Sequence, residues 1–185
     1  ENELEEVERR RALLRGDRKR REIPTVSLVG YTNSGKSTML NALCGSDVYV
    51  RNQLFATLDP SVRRMETDSE RDILLVDTVG FIKKLPHELV EAFKSTLEEA
   101  VSSDLLIHVV DMGCDDFRER IAIVEGILAD IGATEGERFL VLNKADLLPP
   151  DFAPGEISGY SRVFLTSATE GTGLEMLREG IISHF

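Results

Sequence analysis

Residues 30 to 37 read GYTNSGKS and satisfy the pattern G-x-x-x-x-G-K-[ST] at every fixed position. Those residue types at that spacing hold the phosphates of a nucleoside triphosphate together with magnesium. Gly30 and Gly35 let the backbone curl so that the amides from Tyr31, Thr32, Asn33 and Ser34 onward to Thr38 point at one centre. A helix starting near Lys36 adds its positive end to the same place. Lys36 is expected to reach the β and γ phosphates, and the Ser37 hydroxyl to ligate Mg2+.

Further along, Asp77-Thr78-Val79-Gly80 supplies an acid that would hold magnesium through water, opposite Ser37. Gly80 has no Cβ, so its amide would approach a γ phosphate and sense its loss. A D-x-x-G turn by itself is common; in order after a phosphate loop it is informative. Between the two lies Gln53-Leu54-Phe55-Ala56-Thr57-Leu58-Asp59-Pro60. Thr57 is the candidate there for a second magnesium ligand, in a loop that the triphosphate orders and hydrolysis releases. The residues expected to act in turnover so far are therefore Lys36, Thr57 and Gly80.

Asn143-Lys144-Ala145-Asp146 matches N-K-x-D. A carboxylate at Asp146 accepts from both guanine N1–H and the 2-amino group, whereas adenine offers neither donor in that arrangement. Such a site rejects the wrong base by about 10⁴-fold, because its polar group would be left unpaired. Lys144 would lie along base and ribose, Asn143 would tie this loop to the phosphate loop, and Ser167-Ala168 would offer a backbone amide to the guanine carbonyl. The ligand becomes GTP or GDP.

These loops need strands and helices to hold them. Apolar runs occur at Ile23 to Val29, Ile73 to Val76, Leu105 to Val110, Phe139 to Leu142 and Val163 to Leu165, separated by helix-length segments. Continuous runs of this kind predict parallel strands buried on both faces. Ser61 to Thr67 is more polar and predicts an edge strand. Helices are predicted over Ser37 to Cys44, His87 to Val101, Asp115 to Ile131 and Leu174 to Ser183. Leu148 to Ser161, with three prolines and two glycines, predicts no helix. The expected fold is α/β, a P-loop GTPase: a three-layer sandwich around a mostly parallel six-stranded sheet with one antiparallel edge strand.

The chain has 185 residues and a net charge of −11. That length suits one domain, residues 23 to 185, plus a tail. Residues 1 to 22 carry eight basic and seven acidic side chains, so the excess of acid lies wholly in the domain. An acidic body does not attract nucleic acid directly. In the tail, Glu5 with Arg9 and Glu6 with Arg10 are spaced for helical ion pairs. Arg18 to Arg21 either touch RNA phosphates or form a solvated linker. No apolar stretch approaches the roughly 20 residues that cross a bilayer. A monomer without membrane contact is expected, in the cytoplasm or else in a mitochondrial or plastid matrix. Cys44 and Cys114 lack metal-ligand spacing and are expected as buried apolar side chains, and His108, inside an apolar run, as a core histidine.

G-x-x-x-x-G-K-S, D-x-x-G, N-K-x-D and S-A, in that order, resemble the translation-associated small GTPases. GYTNSGKST, QLFATLDP and DTVGFIKKLPHELVEAFKSTLEE resemble more narrowly the HflX family of ribosome-associated GTPases. The resemblance implies GTP hydrolysis, binding to the 50S ribosomal subunit, and splitting or rescue of stalled ribosomes. It also implies that residues 1 to 22 are the end of an N-terminal helical domain through which most ribosome contact is made. Phe81 stands where signalling GTPases carry a water-orienting glutamine, so unassisted hydrolysis is expected at or below about 10⁻⁴ to 10⁻² s⁻¹. Asn33 matches an asparagine that related potassium-activated GTPases use to ligate K+ beside the phosphates, which makes it a further candidate for a role in turnover. Two other functions remain open: a nucleotide-dependent binding module with negligible catalysis, and an ATP-using phosphotransferase, against which Asp146 argues.

Overall fold

The five apolar runs and the polar one become a six-stranded sheet in a computed structural model that describes residues 23–45, 61–67, 72–78, 80–81, 100–133 and 136–185. The strands are β1 (Thr25–Val29), β2 (Ser61–Met65), β3 (Ile73–Asp77), β4 (Leu105–Asp111), β5 (Glu137–Asn143) and β6 (Arg162–Leu165), in the order β2-β3-β1-β4-β5-β6. β2 pairs antiparallel with β3, and the other pairs are parallel. Chain order reverses on either side of β1. In open sheets of this kind the crevice at that reversal, beyond the carboxyl ends of the strands, receives the ligand. The phosphate loop after β1, the turn after β3, the Asn143 to Asp146 loop after β5 and Ser167-Ala168 after β6 each leave such an end.

Helices cover both faces, because strands buried on two sides need two apolar partners. On one face Met39, Leu40 and Leu43 of α1 (Lys36–Cys44) and Leu177 and Ile181 of α3 (Leu174–Ile182) pack with Val26, Leu28, Phe139 and Val141. On the other, Val124 and Leu128 of α2 (Phe117–Asp130) join Val29 and Leu106. α1 stops at Gly45, whose left-handed φ of 63° lets its amide return to the Asn41 carbonyl. The predicted three-layer fold is the observed one, with the ends of the described elements shifted by at most two residues.

Among the described residues, 148–161 forms no helix, as its breakers predict; Leu148, Phe152, Ile157 and Tyr160 instead pack as side chains over Val110, Met112, Leu140 and Leu142. The tail at 1–22 and the loop carrying Thr57 lie outside the described residues, as does the helix predicted at 87–101 except for its end at Ala100 and Val101. The cysteine expectation needs correcting. Cys44 ends α1 and Cys114 lies in the turn before α2, so both are free thiols and only partly buried.

His108 is a core histidine with a network. Its Nδ1 is 2.7 Å from the Tyr160 hydroxyl, which donates to Glu125 Oε1 at 2.7 Å, while Arg138 donates to Glu125 Oε2 at 2.5 Å. Since the one tyrosine proton goes to the carboxylate, His108 donates from Nδ1, which fixes its tautomer. Burial holds His108 below its ordinary value, against the pull of Glu125. Burial would raise Glu125, but His108 with its Nδ1 3.7 Å away, the Tyr160 hydrogen bond and the Arg138 charge outweigh it and bring it to about 2.

Both shifts act in one direction. Below about pH 6.5 the unfolded chain protonates His108 and the folded one resists, so stability falls as pH falls, by at most about 1.4 kcal/mol per unit for that one proton. Glu125 adds its own loss as pH falls from about 4.5 toward 2. Urea unfolding at pH 7 and pH 5 should show a lower midpoint at pH 5 in the wild type and a smaller difference in His108→Asn. Equal differences in the two proteins would refute the assignment.

Candidate functional site

The phosphate loop is shaped by close approaches that only glycine permits. A Cβ on Gly30, at φ 155°, would stand 2.2 Å from the Val109 carbonyl oxygen, and one on Gly35, at φ 96°, would stand 2.3 Å from Asn143 Nδ2. Asn33, exposed at the loop's crest, takes the left-handed φ of 63°. Lys36 opens α1 and is only 6% exposed; its Nζ donates to the carbonyls of Gly30 at 3.3 Å and Tyr31 at 3.2 Å. Burial pushes this ammonium down to about 8, opposed by the charge of Asp77. A buried cation at a helix N-terminus favours an anionic ligand on both counts.

One residue along α1, the Ser37 hydroxyl donates to Asp77 Oδ2 at 2.5 Å, so the start of α1 and the end of β3 present two hard oxygens together. Among the described residues no group of three or more His, Cys, Asp or Glu gathers around a point. A serine and one carboxylate suit magnesium, which keeps waters and takes its other ligands from phosphates. The residues present therefore fit the expected ion.

Gly80 lies against this centre: a Cβ there would stand 2.8 Å from Thr32 Cα and 3.1 Å from Lys36 Nζ. The next residue is tied to the phosphate loop by main-chain bonds from Thr32 N to the Phe81 carbonyl at 2.7 Å and from Phe81 N to the Gly30 carbonyl at 3.0 Å. The Phe81 side chain, 1% exposed, is buried with Val29, Leu106, Val124 and Leu128. The sequence showed that Phe81 cannot bind water; the fold also turns it away from the phosphate site. Tyr31 bridges to Phe81 and carries the Arg120 guanidinium 4.8 Å from its ring centre.

At the other end, Asn143 is buried and joins three loops. Its Nδ2 donates to the Ser34 carbonyl at 3.0 Å, and its Oδ1 accepts from Ala168 N at 3.1 Å and Thr166 Oγ1 at 3.3 Å. The expected tie between the base loop and the phosphate loop is present. Asp146, on the 3₁₀ turn Ala145–Leu147, is exposed, and Ser167 Oγ donates to its Oδ1 at 2.5 Å. The Ser167 amide bonds the Thr172 carbonyl and the Ala168 amide bonds Asn143, so a guanine carbonyl would share an amide already engaged.

Lys36, Ser37, Asp77, Gly80, Asn143, Lys144, Asp146, Ser167 and Ala168 thus line one rim of the sheet, with Thr38 half-buried on α1. Thr57 lies outside the described residues. The sequence named Ser167 for its backbone amide alone and did not name Asp111. Ser167 acts through its hydroxyl as well as through its position, and Asp111 accepts from Lys144 Nζ at 2.7 Å. The available signal for Asp111 was an acid closing a buried strand, as Asp77 does.

A family described as 50S ribosome-binding GTPase matches residues 25–144. The chain is 53% identical over 181 residues to GTPase HflX of Caldanaerobacter subterraneus subsp. tengcongensis, covering 98% of this chain and 41% of that protein. It is 44% identical over 185 residues to GTPase HflX of Escherichia coli, covering 98% of this chain and 43% of the relative. A GTP-binding protein from the hyperthermophilic archaeon Sulfolobus solfataricus, solved in complex with GDP, superposes with a TM-score of 0.71 at 32% identity, over 93% of this chain and 55% of its own. The chain therefore spans about two fifths of the length of the curated relatives it matches. It belongs to the 50S ribosome-binding GTPase family and, within it, to the HflX GTPases.

Proposed function

We propose that the chain binds GTP with magnesium, hydrolyses it slowly, and uses the difference between its GTP and GDP states to control association with the large ribosomal subunit, in splitting or rescuing stalled ribosomes. One observation carries the nucleotide part: Asn143 bonds the Ser34 carbonyl, which fixes the guanine-reading loop at a set distance from the phosphate loop. The solved archaeal neighbour, with GDP, and the family's description support the same reading. Ser37 and Asp77, the latter through water, would hold magnesium, which would supply neutralising charge to the phosphates. Lys36 would meet the same oxygens. Gly80 would present its amide to the γ phosphate, and Thr57 would complete the sensor.

Equilibrium binding of fluorescent GDP and ADP to the chain tests the first part; equal affinities would remove the guanine assignment. Co-sedimentation with 50S subunits in GDP and in a nonhydrolysable GTP analogue tests the second. Indifference of 50S binding to the nucleotide would remove the switch.

Phe81, sequestered in the core, favours a second reading in which the chain is a nucleotide-dependent binding module with negligible catalysis. Single-turnover phosphate release with and without ribosomes separates the two, since the module releases none in either case.

If the chain does hydrolyse GTP, a partner or a cation would stand in for the missing side chain. Asn33, exposed in the loop in a left-handed conformation, would be the ligand for K+. An added positive charge offsets the negative charge that develops on the phosphates in the transition state. Hydrolysis in KCl is expected to exceed that in NaCl by about tenfold or more, and Asn33→Ala to abolish the difference. Equal rates in the two salts would end the idea.

A further inference from the structure

We propose that Asp111 is the positioning residue of the nucleobase pocket: its carboxylate grips the Lys144 ammonium and so fixes the Lys144 stem as the wall on which the base lies. This rests on the guanine-nucleotide reading and deepens it.

Register puts the pair together. β4 and β5 run parallel with Asp111 opposite Asn143, and Met112 N continues the ladder to the Asn143 carbonyl at 2.9 Å. Lys144 is therefore the first residue beyond the sheet on its strand, as Met112 is on the other. It leaves in a left-handed conformation, φ 66°, which a non-glycine residue holds only where its surroundings impose it. Its Nζ donates to Asp111 Oδ2 at 2.7 Å.

The acid cannot swing. Asp111 Oδ1 accepts from Gly113 N at 2.9 Å, so each carboxylate oxygen has its own donor, and the side chain is only 9% exposed against 29% for Lys144. The turn after β4 is also fitted to the base loop. A Cβ on Gly113 would stand 2.7 Å from Leu147 Cδ1 and 3.2 Å from Asp111 Oδ1, so Leu147, one residue after Asp146, packs over the turn that holds the acid.

A lysine stem has four rotatable bonds and loses their freedom when a base lies along it. Here the ion pair has ordered the stem before ligand arrives, and preorganisation of this kind appears as slower release. A purely architectural role, pinning β4 to β5, would not depend on whether residue 144 carries a charge. That difference is measurable.

Release of fluorescent GDP from the 185-residue chain should be followed in wild type, Asp111→Asn, Lys144→Met and the double variant. Asp111→Asn is expected to speed release about tenfold, Lys144→Met at least as much, and the double variant no more than Lys144→Met alone. The preference for GDP over ADP should stay with Asp146 and not change. Should Asp111→Asn fail to fold, Asp111→Ser keeps an acceptor for Gly113 N and runs the same cycle. The proposal is overturned if removing the acid leaves release within twofold of wild type, or if it speeds release equally with Met at residue 144. No saturable GDP binding by the wild type would overturn the guanine reading and this proposal with it; binding without coupling would overturn only this one.

Discussion

Asp146→Asn is expected to weaken GDP binding by about 10⁴-fold while leaving the fold intact and creating affinity for xanthosine diphosphate. The carboxylate accepts two guanine donors, N1–H and the 2-amino group. An amide keeps one acceptor and turns its other end into a donor, which then faces the guanine amino group and leaves two donors opposed. Xanthine carries a carbonyl where guanine carries the amino group, so the same amide pairs with it at both positions. The structure supplies the orientation, because Ser167 Oγ donates to Asp146 Oδ1 at 2.5 Å. Ser167→Ala should thus cost about tenfold in GDP affinity, the magnitude of one hydrogen bond to a charged group. Asp146 is exposed, so Asp146→Asn should change the unfolding free energy by no more than a few tenths of a kcal/mol. Titrations with GDP, ADP and xanthosine diphosphate read the outcome. GDP affinity within threefold of wild type in Asp146→Asn would exclude Asp146 from the base contact.

The fold was legible because its physics is local. Ile73 to Val76 and Leu105 to Val110 are too short and too continuously apolar for amphipathic helices, and buried parallel strands are what remains. The phosphate loop, Asp77 and Asp146 were legible because each carries a fixed spacing from a strand end. What the sequence hid is pairing across the sheet. Nothing within ten residues of Lys144 marks Asp111 as its partner; only the β4–β5 register brings them to 2.7 Å. Phe81 is similar. Its type excluded a role in orienting water, yet its bridge to the phosphate loop and its place beneath α2 needed the packed structure. The cysteines erred for a related reason: composition gives an average burial for a thiol, while a helix end and a turn decide these two.

Gly30→Ala is expected to be the most damaging single methyl group that can be added at the site. Its Cβ would stand 2.2 Å from the Val109 carbonyl oxygen, well inside contact distance, and φ at 155° disfavours any L side chain independently. β4 cannot retreat, because it is hydrogen-bonded between β1 and β5 with every one of its residues buried. The loop cannot retreat either, since Gly30 O receives both Phe81 N and Lys36 Nζ. A loss of roughly 3 to 5 kcal/mol is expected, a large part of the whole stability of a domain this size. Gly80→Ala should behave differently. Its new methyl would meet the Thr32 main chain at 2.8 Å and Lys36 Nζ at 3.1 Å, but Gly80 lies at the rim and not in the central sheet, so there the backbone can shift to relieve the contact. Gly80→Ala should fold with a loss of about 1 to 2 kcal/mol and bind GDP nearly normally. It should lose about 100-fold in affinity for a nonhydrolysable GTP analogue, because the methyl fills space that the γ phosphate needs beside Lys36. Urea unfolding and nucleotide titration of the two variants, side by side, decide it. A Gly30→Ala protein as stable as wild type would mean that β4 yields where its buried ladder says it cannot, and a Gly80→Ala protein that binds the GTP analogue normally would place the γ phosphate elsewhere.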